Sequence, residues 1–296
     1  MLDVVIIGSG PAGLTSAIYA KRAELSVVVI EKEYLGTGQI AESSLVDNYP
    51  GIPETDGYSL GEAFREHAER LGTEFIEAEV TSIEKKDNIF ICKCDNGDTI
   101  EAESVIFATG CHHRNLGIED EAKYTGKGIS YCAVCDGAFY KDKPATVIGG
   151  GDTALDDALY LSDICSRVNL IHRRDEFRGS KLTLERLKSK ENVNIITKAN
   201  VKNITGEKKI ESIVLDTGEI VNTDGLFVAV GMVPQTELLK DFDVLDNNGY
   251  VKAQEDCRTS CDGLYVAGDI RTKKLRQVIT AAADGANAVQ SIISLR

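Results

Sequence analysis

The chain has 296 residues, 43% of them hydrophobic, and a net charge of −14. That is enough apolar material for two cores, since single cores stop growing near ~250–300 residues. The acidic balance argues against nucleic acid or an anionic membrane as partner, and no apolar run approaches the ~18 residues of a membrane span. Eight cysteines are too sparse for a disulfide scaffold, so a C-x-x-C here reads as redox or metal chemistry. Because "MLDVVIIG" enters a strand at once, with no signal-peptide features, the expectation is a soluble, cytoplasmic protein.

The first unit, "LDVVIIGSGPAGLTSAIYAKRAELSVVVIEK", is a βαβ unit. An apolar run at Val4–Ile7 ends in Gly8-Ser9-Gly10-Pro11-Ala12-Gly13, a helical pattern follows through Ala20, and a second apolar run at Val27–Ile30 ends in Glu31. Gly8 permits the tight turn, Gly10 lets the backbone approach a pyrophosphate, and Gly13 lets helix and strand pack closely. The helix N-terminus supplies free amides and a dipole for phosphates. Glu31, 18 residues past Gly13, is placed to accept hydrogen bonds from ribose hydroxyls.

Further along, "FICKCDNGDTIEAESVIFATG" (90–110) reads as strand, Asn-Gly turn, strand, then a short apolar strand ending in Gly. Next comes "ISYCAVCDGAFY" (129–140), where Cys132 and Cys135 are followed directly by Asp136. The pair is open to three readings: metal site, structural disulfide or redox couple. Zinc wants four ligands at fixed spacing, and Cys92 with Cys94, the isolated Cys165, and Cys257 with Cys261 fit that poorly. Cys92 and Cys94 fall on one face of a strand and read as packed thiols. The Asp136-Gly137 dipeptide is also a turn signal.

The glycine pattern then returns in "PATVIGGGDTALDDALYLSDICSRVNLIHRRDEF". A strand at Ala145–Ile148 leads into Gly149-Gly150-Gly151-Asp152-Thr153-Ala154, a helix, and a strand at Val168–Ile171. In place of the terminal acid stand His172, Arg173 and Arg174, with Arg178 close behind. A carboxylate there would repel a 2′-phosphate, whereas guanidinium groups pair with it, so this unit should prefer NADP(H). "SIVLDTGEIVNTDGLFVAVG" (212–231) repeats the meander. A third short strand, "GLYVAGDI" (263–270), has no unit of its own and is assigned to the first domain, which makes the second an insertion.

The predicted fold is therefore α/β: two Rossmann-like dinucleotide-binding domains, each a three-layer sandwich with its own β-meander, the second inserted in the first. The expected boundaries are 1–112 with 244–296 for the first domain and 113–243 for the second.

"GSGPAG", "GTGQIAESSLVDNYPGIP", "ATG" at 108–110, "CAVCDG", "GGGDTA", "HRRDEFR", "AGDI" and "RQVITAAADGANA" together resemble the low-molecular-weight thioredoxin reductase family, over essentially the whole chain. The resemblance implies a homodimeric flavoprotein that reduces thioredoxin or a thioredoxin-like protein. FAD contacts are implied at Gly8, Gly10, Ala12, Gly13, Glu31, Gly38, Gln39, Asn48, Gly110, Asp269, Arg276 and Gln277. NADPH contacts are implied at Gly151, Thr153, Ala154, His172, Arg173, Arg174 and Arg178. It makes Cys135 the flavin-proximal, charge-transfer thiol, Cys132 the thiol that attacks the partner's disulfide, and Asp136 the acid-base residue. Electrons then run from NADPH to FAD, to the Cys132–Cys135 disulfide, and by exchange to the partner. The inserted domain is expected to rotate so that NADPH and the dithiol take turns at the flavin.

Cys111-His112-His113 and the details of "GTGQIAESS" depart from the family's commoner residues, and Cys111 reads as a bystander. Other readings are a ferredoxin-fed reductase or an oxygen-dependent dithiol oxidase of the same fold, and a non-catalytic redox sensor. The intact "GGGDTA" and arginine set count against the first two, and the adjoining Asp136 with two nucleotide sites against the third.

Overall fold

Residues 1–33, 36–43 and 45–296 are described in the computed structural model; Ser44, within the segment 36–53 quoted above, lies outside them. The chain divides into two units, residues 1–112 with 233–296 and residues 113–232. Unit 1 opens with β1 (Leu2–Ile7), α1 (Pro11–Arg22), β2 (Val27–Glu31), α2 (Gly57–Arg70) and β3 (Glu74–Glu77). A meander of β4 (Val80–Lys86), β5 (Ile89–Cys94) and β6 (Thr99–Phe107) follows. Strands β3, β2, β1 and β6 pair in that order in parallel, with Val4 opposite Val27 and Ile7 opposite Phe107. Proline at the first position of α1 and Lys21-Arg22 in its last turn suit its two ends.

Strand β6 differs from the sequence reading, which divides it into a hairpin arm and a separate closing strand. It is continuous, because nothing in "TIEAESVIF" breaks it. Its first half alternates and pairs antiparallel with β5, Phe90 facing Ala102, while its wholly buried second half lies beside β1. That is the burial expected of a strand passing from a meander into a parallel sheet.

The chain crosses in β7 (Cys111–His113) into unit 2. There it forms α3 (Glu121–Tyr124), β8 (Ile129–Ser130), α4 (Ala133–Asp136), β9 (Pro144–Ile148), α5 (Asp152–Ser162), β10 (Arg167–His172), α6 (Lys181–Lys188) and β11 (Val193–Thr197). A second meander, β12 (Val201–Thr205), β13 (Ser212–Leu215) and β14 (Ile220–Asn222), leads to β15 (Gly225–Val228). The parallel sheet runs β11-β10-β9-β15-β8. After β16 (Met232–Pro234) the chain is back in unit 1, where β17 (Leu264–Val266) pairs with Val105–Phe107 of β6, and α7 (Val278–Ile293) ends the fold. The return falls at 232/233 rather than at 243/244, because Leu239 is buried in the unit 1 core with Leu238 and Phe242 packed against it.

Each parallel sheet divides two cores. In unit 1, Val4, Ile6 and Val29 face α1 and α7. Their neighbours Val5, Ile7 and Val28 face the meander, with Phe90, Cys92 and Cys94. In unit 2, Val147 and Leu170 face Leu155 and Leu161 of α5, while Ile148 and Ile171 face Ile204 and Ile213 of the meander. Period-two alternation thus makes each unit three layers deep.

Candidate active site

Three constellations carry the chemistry. The first lies between β1 and α1. Gly8 has φ +99, and a Cβ there would stand 2.6 Å from the Ala108 carbonyl oxygen, while one on Gly13 would stand 1.9 Å from the Gly8 carbonyl oxygen. Both positions are closed to any side chain. Gly10 caps α1 with extended backbone, and Gly38 crosses it so closely that a Cβ on Gly38 would lie 3.1 Å from the Gly10 Cα. The Glu31 carboxylate accepts from the Ser9 amide and hydroxyl, each at 2.8 Å, and from the Glu33 amide at 3.2 Å. Ser9, for which the sequence offers no signal beyond its place in the turn, therefore ties the acid at the end of β2 to the glycines.

Of the other residues implied for FAD, Asp269, Arg276 and Gln277 follow β17, with Asn48 bonded to Gln277. Gly268, φ +87, passes Ala12 so closely that a Cβ would come within 3.0 Å of the alanine Cβ. The next residue, Asp269, has its Oδ1 buried with no hydrogen-bond partner among the described residues, and burial pushes its pKa up to about 6. Its carbonyl accepts from Arg276 Nε at 3.2 Å and from Cys111 Sγ at 3.0 Å. Arg276 also lies 4.4 Å over the Tyr250 ring. Asn48 donates to the Gln277 side-chain oxygen at 2.9 Å. Gln39 is exposed at the start of a short 3₁₀ turn, and Gly110 has φ +70 with open space where a Cβ would be.

The second constellation is the turn between β9 and α5. Gly149 (φ +156) would drive a Cβ to 2.4 Å from the Ala229 carbonyl oxygen, and one on Gly150 would meet the His172 ring at 2.3 Å. Gly151, which caps α5, has nothing within 4 Å of a built Cβ. Thr153 is exposed beside it, and Ala154 is buried against the core. The Arg178 and Gly179 amides both donate to the Gly150 carbonyl, at 2.7 and 3.2 Å, which folds the arginine loop onto the glycine turn. Arg173, Arg174 and Arg178 are exposed, and among the described residues none has an ion-pair partner. His172 is not turned outward with them. It is 6% exposed, its ring tilted against that of Phe177 with centroids 4.9 Å apart, with Nε2 3.2 Å from the Glu176 carbonyl oxygen. Burial and the three nearby arginines lower its pKa, against the Glu176 hydrogen bond that raises it, and its ring fills the space beside Gly150.

The third constellation is the dithiol at the start of α4. Cys132 and Cys135 are joined as a disulfide with Cα atoms 5.3 Å apart. Ser130 holds Cys132 at both ends, accepting from its amide at 3.1 Å and donating to its carbonyl at 3.3 Å. The Cys135 amide donates to Cys132 Sγ at 3.2 Å, and such an amide favours the thiolate at Cys132 once the bond is open. Asp136 is partly buried, and that burial raises its pKa, against a hydrogen bond with Ser130 that lowers it. Its carboxyl thus holds a proton somewhat above the usual carboxylate range.

The two residues inside the motif divide their work: Ala133 is 1% exposed in the core, whereas Val134 is 54% exposed. Gly137 follows because a Cβ there would press on Tyr160 and Leu161 at 2.9 and 3.0 Å. The other cysteines are reduced, and burial raises the thiol pKa of Cys92, Cys111 and Cys257 to about 12. Among the described residues no cluster of His, Cys, Asp or Glu is arranged to hold a metal.

Two glycine cradles and a dithiol followed by a partly buried acid define a nucleotide-dependent disulfide oxidoreductase. The sequence matches the pyridine nucleotide-disulphide oxidoreductase family over residues 2–285, and the chain belongs to that family. It is 41% identical to the thioredoxin reductase of Treponema pallidum, covering 99% of this chain and 96% of that protein. It is 40% identical to the thioredoxin reductase of Mycoplasma genitalium, covering 98% and 94%. Among solved structures, the thioredoxin reductase of Streptococcus pyogenes superposes with a TM-score of 0.93 at 38% identity, covering 99% of this chain and 97% of that one.

Proposed function

We propose that the protein is an NADPH-dependent flavoprotein reductase of thioredoxin or a thioredoxin-like protein. The observation that carries the reading is the Cys132–Cys135 disulfide with Asp136 beside it, in one chain with two dinucleotide cradles. Unit 1 is the FAD site: the close backbone approaches at Gly8, Gly13 and Gly38 shape the turn, and with Gly10 and Ala12 at the start of α1 they present its free amides to the diphosphate. Glu31, held by Ser9, is the ribose acceptor, and Oδ1 of Asp269, without a partner among the described residues, is an acceptor for a flavin-side hydroxyl. Gln39, Asn48, Gly110, Arg276 and Gln277 complete it. Unit 2 holds NADPH at Gly151, Thr153 and Ala154, with Arg173, Arg174 and Arg178 pairing the 2′-phosphate and His172 supporting the turn.

FAD, when bound, relays two electrons from the nucleotide to the disulfide. The chain's part is to open and close the Cys132–Cys135 bond. Cys132, steadied by the Cys135 amide, attacks the partner's disulfide; Cys135 then attacks the mixed disulfide; Asp136 takes and returns the thiol proton. The dithiol and the NADPH cradle share unit 2 while the flavin cradle is in unit 1. Unit 2 therefore rotates about the crossings at β7 and β16 between half-reactions.

The protein works as a homodimer in the cytoplasm. Size-exclusion chromatography with light scattering tests the first point, and six reduced cysteines suit a reducing compartment. Among the described residues no helix is long and apolar enough to cross a membrane. The deciding experiment is anaerobic titration with NADPH, followed by turnover with thioredoxin. The flavin is expected to bleach and the Cys132→Ser variant to lose turnover. No bleaching, or retained disulfide reduction in that variant, overturns the assignment.

A further inference from the structure

Unit 1 buries a charge cluster that none of the steps above uses. Asp284, its side chain 3% exposed, lies on α7 in a stripe of small apolar residues that includes Ala281, Gly285 and Ala288. Its carboxylate accepts four hydrogen bonds from three residues of one loop. The Gly268 amide donates at 3.0 Å, Arg271 donates through Nε at 2.9 Å and Nη2 at 2.7 Å, and Lys273 Nζ donates at 2.7 Å. The Arg271 and Lys273 side chains are 4% and 7% exposed. Burying an ion cluster is no better for stability than well-packed apolar residues of the same volume, so the cluster asks for a reason beyond stability.

Its position supplies one. The loop residues tied to Asp284 are 268, 271 and 273, and they bracket Asp269, whose Oδ1 is buried and unpartnered among the described residues. The Asp269 backbone is fixed from the other side by Cys111 and Arg276 at its carbonyl. Gly268 passes within reach of Ala12 in the first cradle. Lys273 is also one of the charges that, against burial, draw the Asp269 pKa back down.

We propose that Asp284 is a positioning residue for flavin binding: with Arg271 and Lys273 it clamps the loop from Gly268 to Lys273 onto α7 and so holds Asp269 aimed at a hydroxyl of FAD. This rests on the reading of unit 1 as the FAD site. Asp284 and Lys273 act through Asp269, and that makes their effects interdependent with it.

The test is FAD release from the purified full-length holoenzyme, followed by the rise of free-flavin fluorescence on dilution, for D269N, K273M, D284N and the double variant D269N/K273M. D269N, K273M and D284N are each expected to raise the dissociation constant about tenfold or more. The double variant is expected to match D269N within about twofold, the limit within which independent sites add. Where D284N fails to fold, K273M carries the test, because Arg271 still pairs Asp284. An unchanged dissociation constant in K273M, even with a lowered thermal midpoint, overturns the inference, as does a double variant whose loss is the product of the single losses. An unchanged constant in D269N overturns the flavin assignment of Asp269 and the inference with it, whereas a loss in D269N with K273M unchanged overturns the inference alone.

Discussion

The second glycine turn makes a prediction that separates what the fold needs from what a ligand needs. Of its three glycines, Gly149 and Gly150 are required by the chain's own packing, since a Cβ would strike the Ala229 carbonyl or the His172 ring. Gly151 is not: its φ of −95 and ψ of −178 suit any residue, and a Cβ there meets nothing within 4 Å. In Gly151→Ala, the reduced freedom of the unfolded chain stabilises by about 0.4–1 kcal/mol. The poorer helix cap costs a similar amount, about 0.5–1 kcal/mol. The two offset each other, so the thermal midpoint should move by no more than about 4 °C.

On the proposed NADPH site, the space that the methyl enters is the path by which the diphosphate would reach the α5 amides. Crowding a close-fitting contact by one methyl costs about 1–3 kcal/mol, or about 5- to 150-fold in kcat/KM for NADPH. The assay is steady-state turnover beside a thermal scan, with dithionite-reduced enzyme as the control that bypasses the nucleotide. If Gly151→Ala keeps its kcat/KM within about twofold, or loses it only because the protein unfolds, no phosphate approaches Gly151 and the argument fails.

Substituting Arg173 and Arg174 by Gln should lower kcat/KM for NADPH at least about tenfold, at about 1.5–3 kcal/mol per charged hydrogen bond, and leave NADH turnover nearly unchanged; an equal fall with both nucleotides would refute their pairing with the 2′-phosphate. Asp269 has its folded pKa raised by burial from an ordinary 3.8 to about 6. At about 1.4 kcal/mol per pH unit, flavin-free wild type should therefore match Asp269→Asn below about pH 4 and fall behind it by at most about 3 kcal/mol as the pH rises through about 6. A stability gap that is constant across pH 4 to 8 in urea titrations would contradict that burial. On NADPH-reduced protein, iodoacetamide at pH 8 should modify Cys132, Cys135 and Cys261 and spare Cys92, Cys111 and Cys257, whose thiols are held at about 12. Peptide mass mapping reads the outcome, and a labelled Cys111 would show that it is not a buried bystander.

Both glycine turns are legible in the sequence because their requirement is local: Gly8 and Gly149 need a positive φ, and Gly13 must pass a carbonyl one turn back. The dithiol is legible for the same reason, since its spacing fixes its place at the head of a short helix. The place of His172 is not legible from its neighbours Arg173 and Arg174, which are exposed where it is buried. What decides its role is tertiary: strand β10 ends with that side chain turned inward, where Gly150 leaves a gap that its ring fills. The expected boundary near 243 falls too late because Leu238, Leu239 and Phe242 carry no turn signal and are claimed by a core that draws on β1, β2 and the first meander, more than a hundred residues earlier, as well as on β17.

Asp284 shows where the limit falls. In "VITAAADGANAVQSII" the acid sits on the stripe of Ala281, Gly285, Ala288 and Ile292, and a charge on an apolar stripe is itself a signal in the residue pattern. Its partners leave no such signal. Arg271 and Lys273 lie in a loop with no periodicity, and nothing in "DIRTKKLRQ" tells which cation turns inward. The fold chooses them by running Gly268 past Ala12, which a side chain at 268 would prevent. The pattern therefore announces that something must neutralise position 284, and only the packing of α1 against α7 decides that the answer is the same loop that carries Asp269.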